Sequence, residues 1–129
     1  MRCLFCALPA LRVVAEDPLT ITIRDAYPVS RGHTLVITRR HVASLFDATD
    51  EERRALWAAL TNARSLIAAE HGPDGWNVGV NDGIAAGQTV MHLHLHLIPR
   101  FQDDTPDPRG GVRHVIPGKG YYSADPDPK

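Results

Sequence analysis

The sequence predicts an α+β fold: a mostly antiparallel sheet of five to six strands, with one long helix (49–71) packed on one face. Three observations carry this expectation. Short β-branched segments near the N-terminus are separated by Pro and Gly turns. One amphipathic segment in the middle has both a start and a stop signal. After it, "VMHLHLHLIPR" alternates strictly, as a half-buried strand does.

Leu11–Asp17 reads as the first strand, with a turn at Asp17-Pro18. Leu19–Asp25 alternates and is rich in Thr and Ile, so it reads as the second. Ala26–Gly32 is a loop, and His33–His41 is a third strand running into a basic turn. Thr49 is placed to cap the helix, and Glu52 three residues on completes a capping box. Asp50, Glu51 and Glu52 suit the positive end of the helix dipole. Leu56, Leu60, Ala63 and Ile67 form one apolar stripe, with Arg53, Arg54, Asn62 and Arg64 largely off it. Gly72 and Pro73 stop the helix, and His71 sits at its negative end. Trp76–Asp82 reads as the fourth strand, Gly83–Thr89 as a small-residue loop and Val90–Arg100 as the fifth strand. Trp57 and Trp76 read as core or interface residues. Past Phe101 the composition turns to Asp, Pro and Gly. Residues 1–102 are therefore read as the domain. Residues 103–129 are a tail, disordered or laid on another surface, with a short strand at Val112–Ile116 as its one candidate element.

A chain of 129 residues suits one domain with a modest core. Its 43% hydrophobic and 22% charged residues are ordinary for a globular protein. A net charge of −1 argues against binding a nucleic-acid backbone. No apolar run approaches the roughly 20 residues that span a membrane. Met1 leads at once into Cys3 and Cys6 with no signal peptide, so the cytoplasm is the expected compartment. There, a C-x-x-C pair points to metal or redox chemistry before a structural disulfide. The spacing lets two thiolates face one zinc ion, which needs two further ligands. Thioredoxin-like redox use is the rival, but no helix follows the pair. A chance pair of thiols is the plain alternative.

On a strand, His92, His94 and His96 share one face and Leu93, Leu95 and Leu97 the other. Burying the three leucines beneath the helix stripe contributes roughly 5–8 kcal/mol before entropy. The histidine face is then exposed or lines a cleft. It could be a polar outer face, but Thr, Lys, Glu or Ser would serve that purpose as well. One metal held by all three is possible in principle: neighbours roughly 7 Å apart along the strand can chelate one ion, but the outer two are about twice that distance apart. No Asp or Glu lies between Asp82 and Asp103 to complete such a site. Nucleophilic attack is the other use. A neutral imidazole with one nitrogen held by an acceptor offers its second nitrogen to phosphorus.

At this point the residues carry a resemblance. "GQTVMHLHLHLIPR" is similar to the signature of the histidine triad (HIT) family, His-φ-His-φ-His-φ-φ with φ apolar. "NDGIAAGQTV" resembles the loop before that signature, and "RDAYPVSRGHTLVITRRH" the family's strand–loop–strand nearer the N-terminus. "CLFC" resembles the opening of its zinc-carrying members. Two departures are Arg31, where the family often has Pro, and Thr38, where it often has Pro after Ile. Arg31 could itself reach a substrate phosphate.

The resemblance implies a HIT-like α+β fold and attack by His94 on the α-phosphate of a nucleotide, giving a nucleotidyl-histidine that water releases. His96 would contact the phosphate and help the leaving group. Gly87, Gln88 and Thr89 would sit at the phosphate, Asn81 at phosphate or ribose and Asp25 at the ribose, while His33 would lie near the site. Cys3, Cys6, His41 and His92 would hold a structural zinc. His114 is not expected in catalysis, and Tyr121 and Tyr122 could dock the tail or stack on a base. A cytoplasmic homodimer acting on a purine nucleotide or dinucleoside polyphosphate is implied, with the helix or an edge strand at the interface. The branch favoured is dinucleoside polyphosphate hydrolysis. The alternatives are a nucleoside phosphoramidase, a nucleotide binder with little turnover, and a zinc-dependent catalyst using the triad.

Overall fold

The computed structural model describes residues 3–8 and 12–122. It contains β1 (Val13–Glu16), β2 (Thr20–Arg24), β3 (Thr34–Thr38), α1 (Asp50–His71), β4 (Gly75–Gly79) and β5 (His94–Arg100). The strands form one antiparallel sheet in the order β1-β2-β3-β5-β4. β5, last in the chain, is thus inserted between β3 and β4 and buried on both edges. Leu11, assigned to the first strand from sequence, lies outside the described residues. No helix among the described residues is long and apolar enough to cross a membrane.

The helix begins and ends where its signals place it. Thr49 accepts from Glu52 N–H (3.0 Å) and Glu52 accepts from Thr49 N–H (2.9 Å), the reciprocal capping box. At the far end Gly72 takes a left-handed conformation (φ 57°) and donates to Ala68 O (3.0 Å). Leu56, Leu60, Ala63 and Ile67 are buried against Val36, Leu93 and Leu97, with Leu95 and Trp76 half-buried at the edge. The helix stripe and the leucine face therefore make one core, as expected. Trp57 is 68% exposed in the single chain, so of core and interface it is not core.

The opposite face of the sheet is not simply wet. Ile23, Leu35 and Ile37 form a second apolar cluster, covered by Phe5, Leu8, Val13 and Ile21. In the β3–β5 ladder Leu35 is opposite His96 and Ile37 opposite His94. The catalytic candidates thus share their face with a dry patch roofed by the N-terminal segment.

Two expected strands are corrected. β5 starts at His94, not Val90. Its partner β3 ends at Thr38, so the residues before His94 have no ladder to join. His92 instead donates its Nε2–H to Thr38 O (2.6 Å), and Leu93 N–H reaches Val42 O (2.6 Å). The expected strand at Val112–Ile116 is a 3-10 helix, Gly111–Val115. Arg113 N–H donates to Gly110 O (2.9 Å) and Ile116 N–H to Arg113 O (3.4 Å), so these groups bond within the segment rather than sideways. The segment lies against β4.

Candidate functional site

Two clusters of chemical groups meet at the start of β5. The first joins the N-terminus to the end of β3. Cys3, Cys6, His41 and His92 each offer one ligand atom, and these atoms all lie within 4.8 Å of one another. Cys3 Sγ is 3.4 Å and Cys6 Sγ 3.5 Å from His92 Nδ1, and Cys6 Sγ is 3.3 Å from His41 Nδ1. A tetrahedral zinc with its usual bond lengths separates S and N ligands by about 3.6 Å. His92 is fully buried, and burial holds its pKa below the usual 6.5, which keeps the ring in the neutral, ligating form. Its Nε2–H is fixed on Thr38 O, so the lone pair on Nδ1 points at the thiols. Two thiols and two imidazoles thus fit a closed zinc site.

The second cluster is His94, His96, His33 and Asp25. His94 donates Nδ1–H to His92 O (2.7 Å), which leaves the lone pair on Nε2. The His92 carbonyl therefore sets the tautomer that a nucleophile needs. Phe5, between the two cysteines, sets its ring edge-on to His94 with centroids 4.9 Å apart. His33 is buried, and its Nδ1 accepts from Val29 N–H (3.1 Å), so its proton sits on Nε2. That proton faces His96 Nδ1 at 3.0 Å, and Asp25 Oδ2 is 3.3 Å from His33 Nε2. His96 accepts on Nδ1 and so presents Nε2–H. Burial holds the pKa of both His33 and His96 below 6.5, partly opposed by the Asp25 carboxylate. The strand thus carries a bare nitrogen at His94 beside an N–H at His96.

Asp25, His94 and His96 open into a cavity of about 700 Å³, which His33 does not line. Asp25, Asn81, Gly87, Thr89, His94 and His96, all anticipated from sequence, line it. Asn81 and Thr89 side chains have no hydrogen-bond partner among the described residues and are free for a ligand. Gln88 is different. Its side chain is buried, accepts from Gly83 N–H (2.8 Å) and donates to Ala43 O and Val90 O (3.0 and 3.1 Å). It shapes the loop and does not face the cavity. The Gly87 and Gln88 N–H groups are likewise engaged, on Ile84 O and Gly83 O. Arg31 is not at the cavity either, because its guanidinium lies over the Phe101 ring at 4.1 Å. Phe5, Leu8, Tyr27 and Leu35 are cavity walls that no sequence pattern singled out. Phe5 alone had a signal, its place inside the C-x-x-C loop.

The chain is similar to known proteins in sequence and in fold. The model of the HIT domain matches residues 10–103. An uncharacterized HIT-like protein of Mycobacterium tuberculosis is 35% identical over 98% of this chain and 85% of its own. The AP-4-A phosphorylase of the same organism is 39% identical over 71% of this chain and 48% of its own. Among solved structures, a zinc-bound histidine triad family protein from Mycobacterium smegmatis superposes with a TM-score of 0.71 at 38% identity, covering 81% of this chain and 84% of that one.

Proposed function

From the premise that the chain belongs to the HIT family, as the match over residues 10–103 shows, we propose that it is a nucleotide hydrolase or transferase acting at the α-phosphate. The observation that carries this is the pair of opposite tautomers on one strand, a bare Nε2 at His94 beside an Nε2–H at His96. His94 Nε2 attacks phosphorus, the bond to the leaving atom breaks, and that atom keeps the electron pair. His96 Nε2–H hydrogen-bonds that atom as its negative charge develops, and the proton it takes up comes from solvent. Water then attacks the nucleotidyl-histidine, the P–N bond to His94 breaks, and the water's proton leaves to solvent. His33 keeps His96 in the required tautomer. Asp25 and Tyr27 suit a ribose, and Phe5, Leu8 and Leu35 a base.

Both substrate classes anticipated from sequence, dinucleoside polyphosphates and nucleoside phosphoramidates, use this chemistry. The likeness to an AP-4-A phosphorylase supports the first, over less than half of that relative. Cys3, Cys6, His41 and His92 are assigned to a structural zinc, and a homodimer is part of the same proposal, to be checked by sedimentation. When bound, the zinc would crosslink the N-terminus to the start of β5. Mass spectrometry of a quenched reaction tests the core of the assignment. A nucleotide attached to His94 is expected. His94→Ala should bind nucleotide while losing about 10⁴-fold or more in rate. Full turnover by His94→Ala would refute the assignment.

A further inference from the structure

A second cavity, of about 440 Å³, adjoins the first on the other side of His96. The two share His96 and Asn81 as a common wall. We propose that this second cavity receives the leaving group, and that it selects an uncharged, apolar leaving group over a polyphosphate. The proposal rests on the α-phosphate chemistry above and adds which substrate class that chemistry serves.

Position makes the first half of the argument. The base- and ribose-sized walls, Phe5, Leu8, Tyr27 and Asp25, all lie in the first cavity. The group that departs from the α-phosphorus must reach the Nε2–H of His96, which hydrogen-bonds it, and His96 faces both cavities. The second cavity is therefore open space next to that hydrogen-bond donor once a nucleoside fills the first.

Lining makes the second half. Val78, Val80 and Ile98 come from the β4–β5 side, and Val112 and Val115 from the 3-10 helix of the tail. A polyphosphate leaving group carries several negative charges, which proteins meet with Arg, Lys or a metal carried with the substrate. Among the described residues lining the two cavities, Arg12 is the only Arg or Lys. Its Nη2 is engaged on Arg24 O (3.1 Å). The nearby cations are engaged as well. Arg31 stacks on Phe101, Arg100 bonds Asp104 and Asn77, Arg109 pairs with Asp107, and Arg113 lies over Tyr122. The Asp25 carboxylate adds a negative charge beside His33. An aromatic or alkyl group finds complementary walls in the second cavity, where a triphosphate tail meets no Arg or Lys among the described lining residues.

Val115 is also the residue through which this can be tested. It is 77% exposed, so a lysine there meets solvent and leaves the core alone. The substrates share one nucleoside and differ in leaving group: adenosine 5′-monophosphate joined to benzylamine, the same nucleotide joined to a phenol, and diadenosine tetraphosphate, all at equal magnesium. Wild type should favour the two apolar substrates over the tetraphosphate by about tenfold or more in kcat/KM. Val115→Lys should narrow that ratio by about tenfold, lowering the apolar substrates and raising the tetraphosphate. A wild-type preference for the tetraphosphate would overturn the proposal. So would a Val115→Lys effect equal on all three substrates, with or without a change in sedimentation, since it would mark the tail as structural or a subunit contact. An adduct on His94 in every arm separates these failures from a failure of the α-phosphate chemistry, in which no arm would show one.

Discussion

Gly32→Ala is expected to destabilise the protein far more than Gly72→Ala, although both place alanine at a positive φ. Gly72 has φ 57° and caps α1, and a Cβ there would meet nothing within 4 Å. Only backbone strain then counts, about 1 kcal/mol. Gly32 has φ 87°, and its Cβ would lie 2.9 Å from His71 Cδ2, 3.0 Å from Ile67 Cγ2 and 3.3 Å from Pro99 Cγ. His71 can swing aside, because its side chain is 29% exposed. Ile67 cannot, because it is fully buried in the core. Overpacking there adds about 1–3 kcal/mol, for a total of about 2–4. At roughly 4 °C per kcal/mol for a chain of this size, Tm should fall by about 4 °C in Gly72→Ala and about 8–16 °C in Gly32→Ala. Thermal unfolding of the two variants side by side gives the comparison. Equal shifts would refute the contact argument, since the strain is common to both. A second consequence concerns the site. Gly32 adjoins His33, so Gly32→Ala should also lower kcat at temperatures where it remains folded, and Gly72→Ala should not.

Cys3→Ser should reduce bound zinc well below one per chain and lower Tm, by metal analysis and calorimetry. Full retention of the metal would mean the four ligands are misassigned. Arg40 holds the Glu52 carboxyl at about 2, below its ordinary 4.5. Because the folded value is the lower one, this stabilisation is complete above pH 4.5 and fades as pH falls toward 2. Glu52→Gln should flatten the stability curve over that window and cost about 1–2 kcal/mol at neutral pH through the weakened cap, read from urea midpoints. Burial lowers the pKa of His33 too, so its contribution is present above pH 6.5 and is lost as pH falls through its lower folded value. His33→Gln should soften that loss and lower kcat by about 10–100-fold, and an unchanged pH dependence would count against the buried neutral ring.

How far the sequence reached depended on whether a feature was local. The helix was legible to within a residue at each end, because Thr49, Glu52 and Gly72 act on their own turn of backbone. The leucine face was legible because alternation is a period-two property of a single strand. The limits of β5 were not, because a strand lasts only as long as its neighbour, and Thr38 at the end of β3 is far away in sequence. The second apolar cluster was missed for a related reason. It joins Phe5 and Leu8 to Ile23, Leu35 and Ile37, which no periodicity links. Gln88 shows the opposite situation. Its place in the loop matched a phosphate contact by resemblance, yet its amide is satisfied by three backbone groups brought together only by the fold.

The triad itself shows why like residues at every second position need not do like work. On an ideal strand the three rings would be equivalent. Here the ladder ends at His94, so His92 is released to bond Thr38 O through Nε2 and to face the thiols through Nδ1. Its carbonyl, left without a strand partner, takes the His94 Nδ1–H and bares Nε2. Two residues further on, His33 imposes the reverse tautomer on His96. The single break in hydrogen-bond pairing at the start of β5 therefore sets apart a thiol-facing ring, a ring with a bare nitrogen and a ring presenting an N–H. Extending β3 by one paired residue would compete for the His92 carbonyl. The tautomer of His94, observable by nitrogen NMR, should then change even if Cys3, Cys6, His41 and His92 stayed in place.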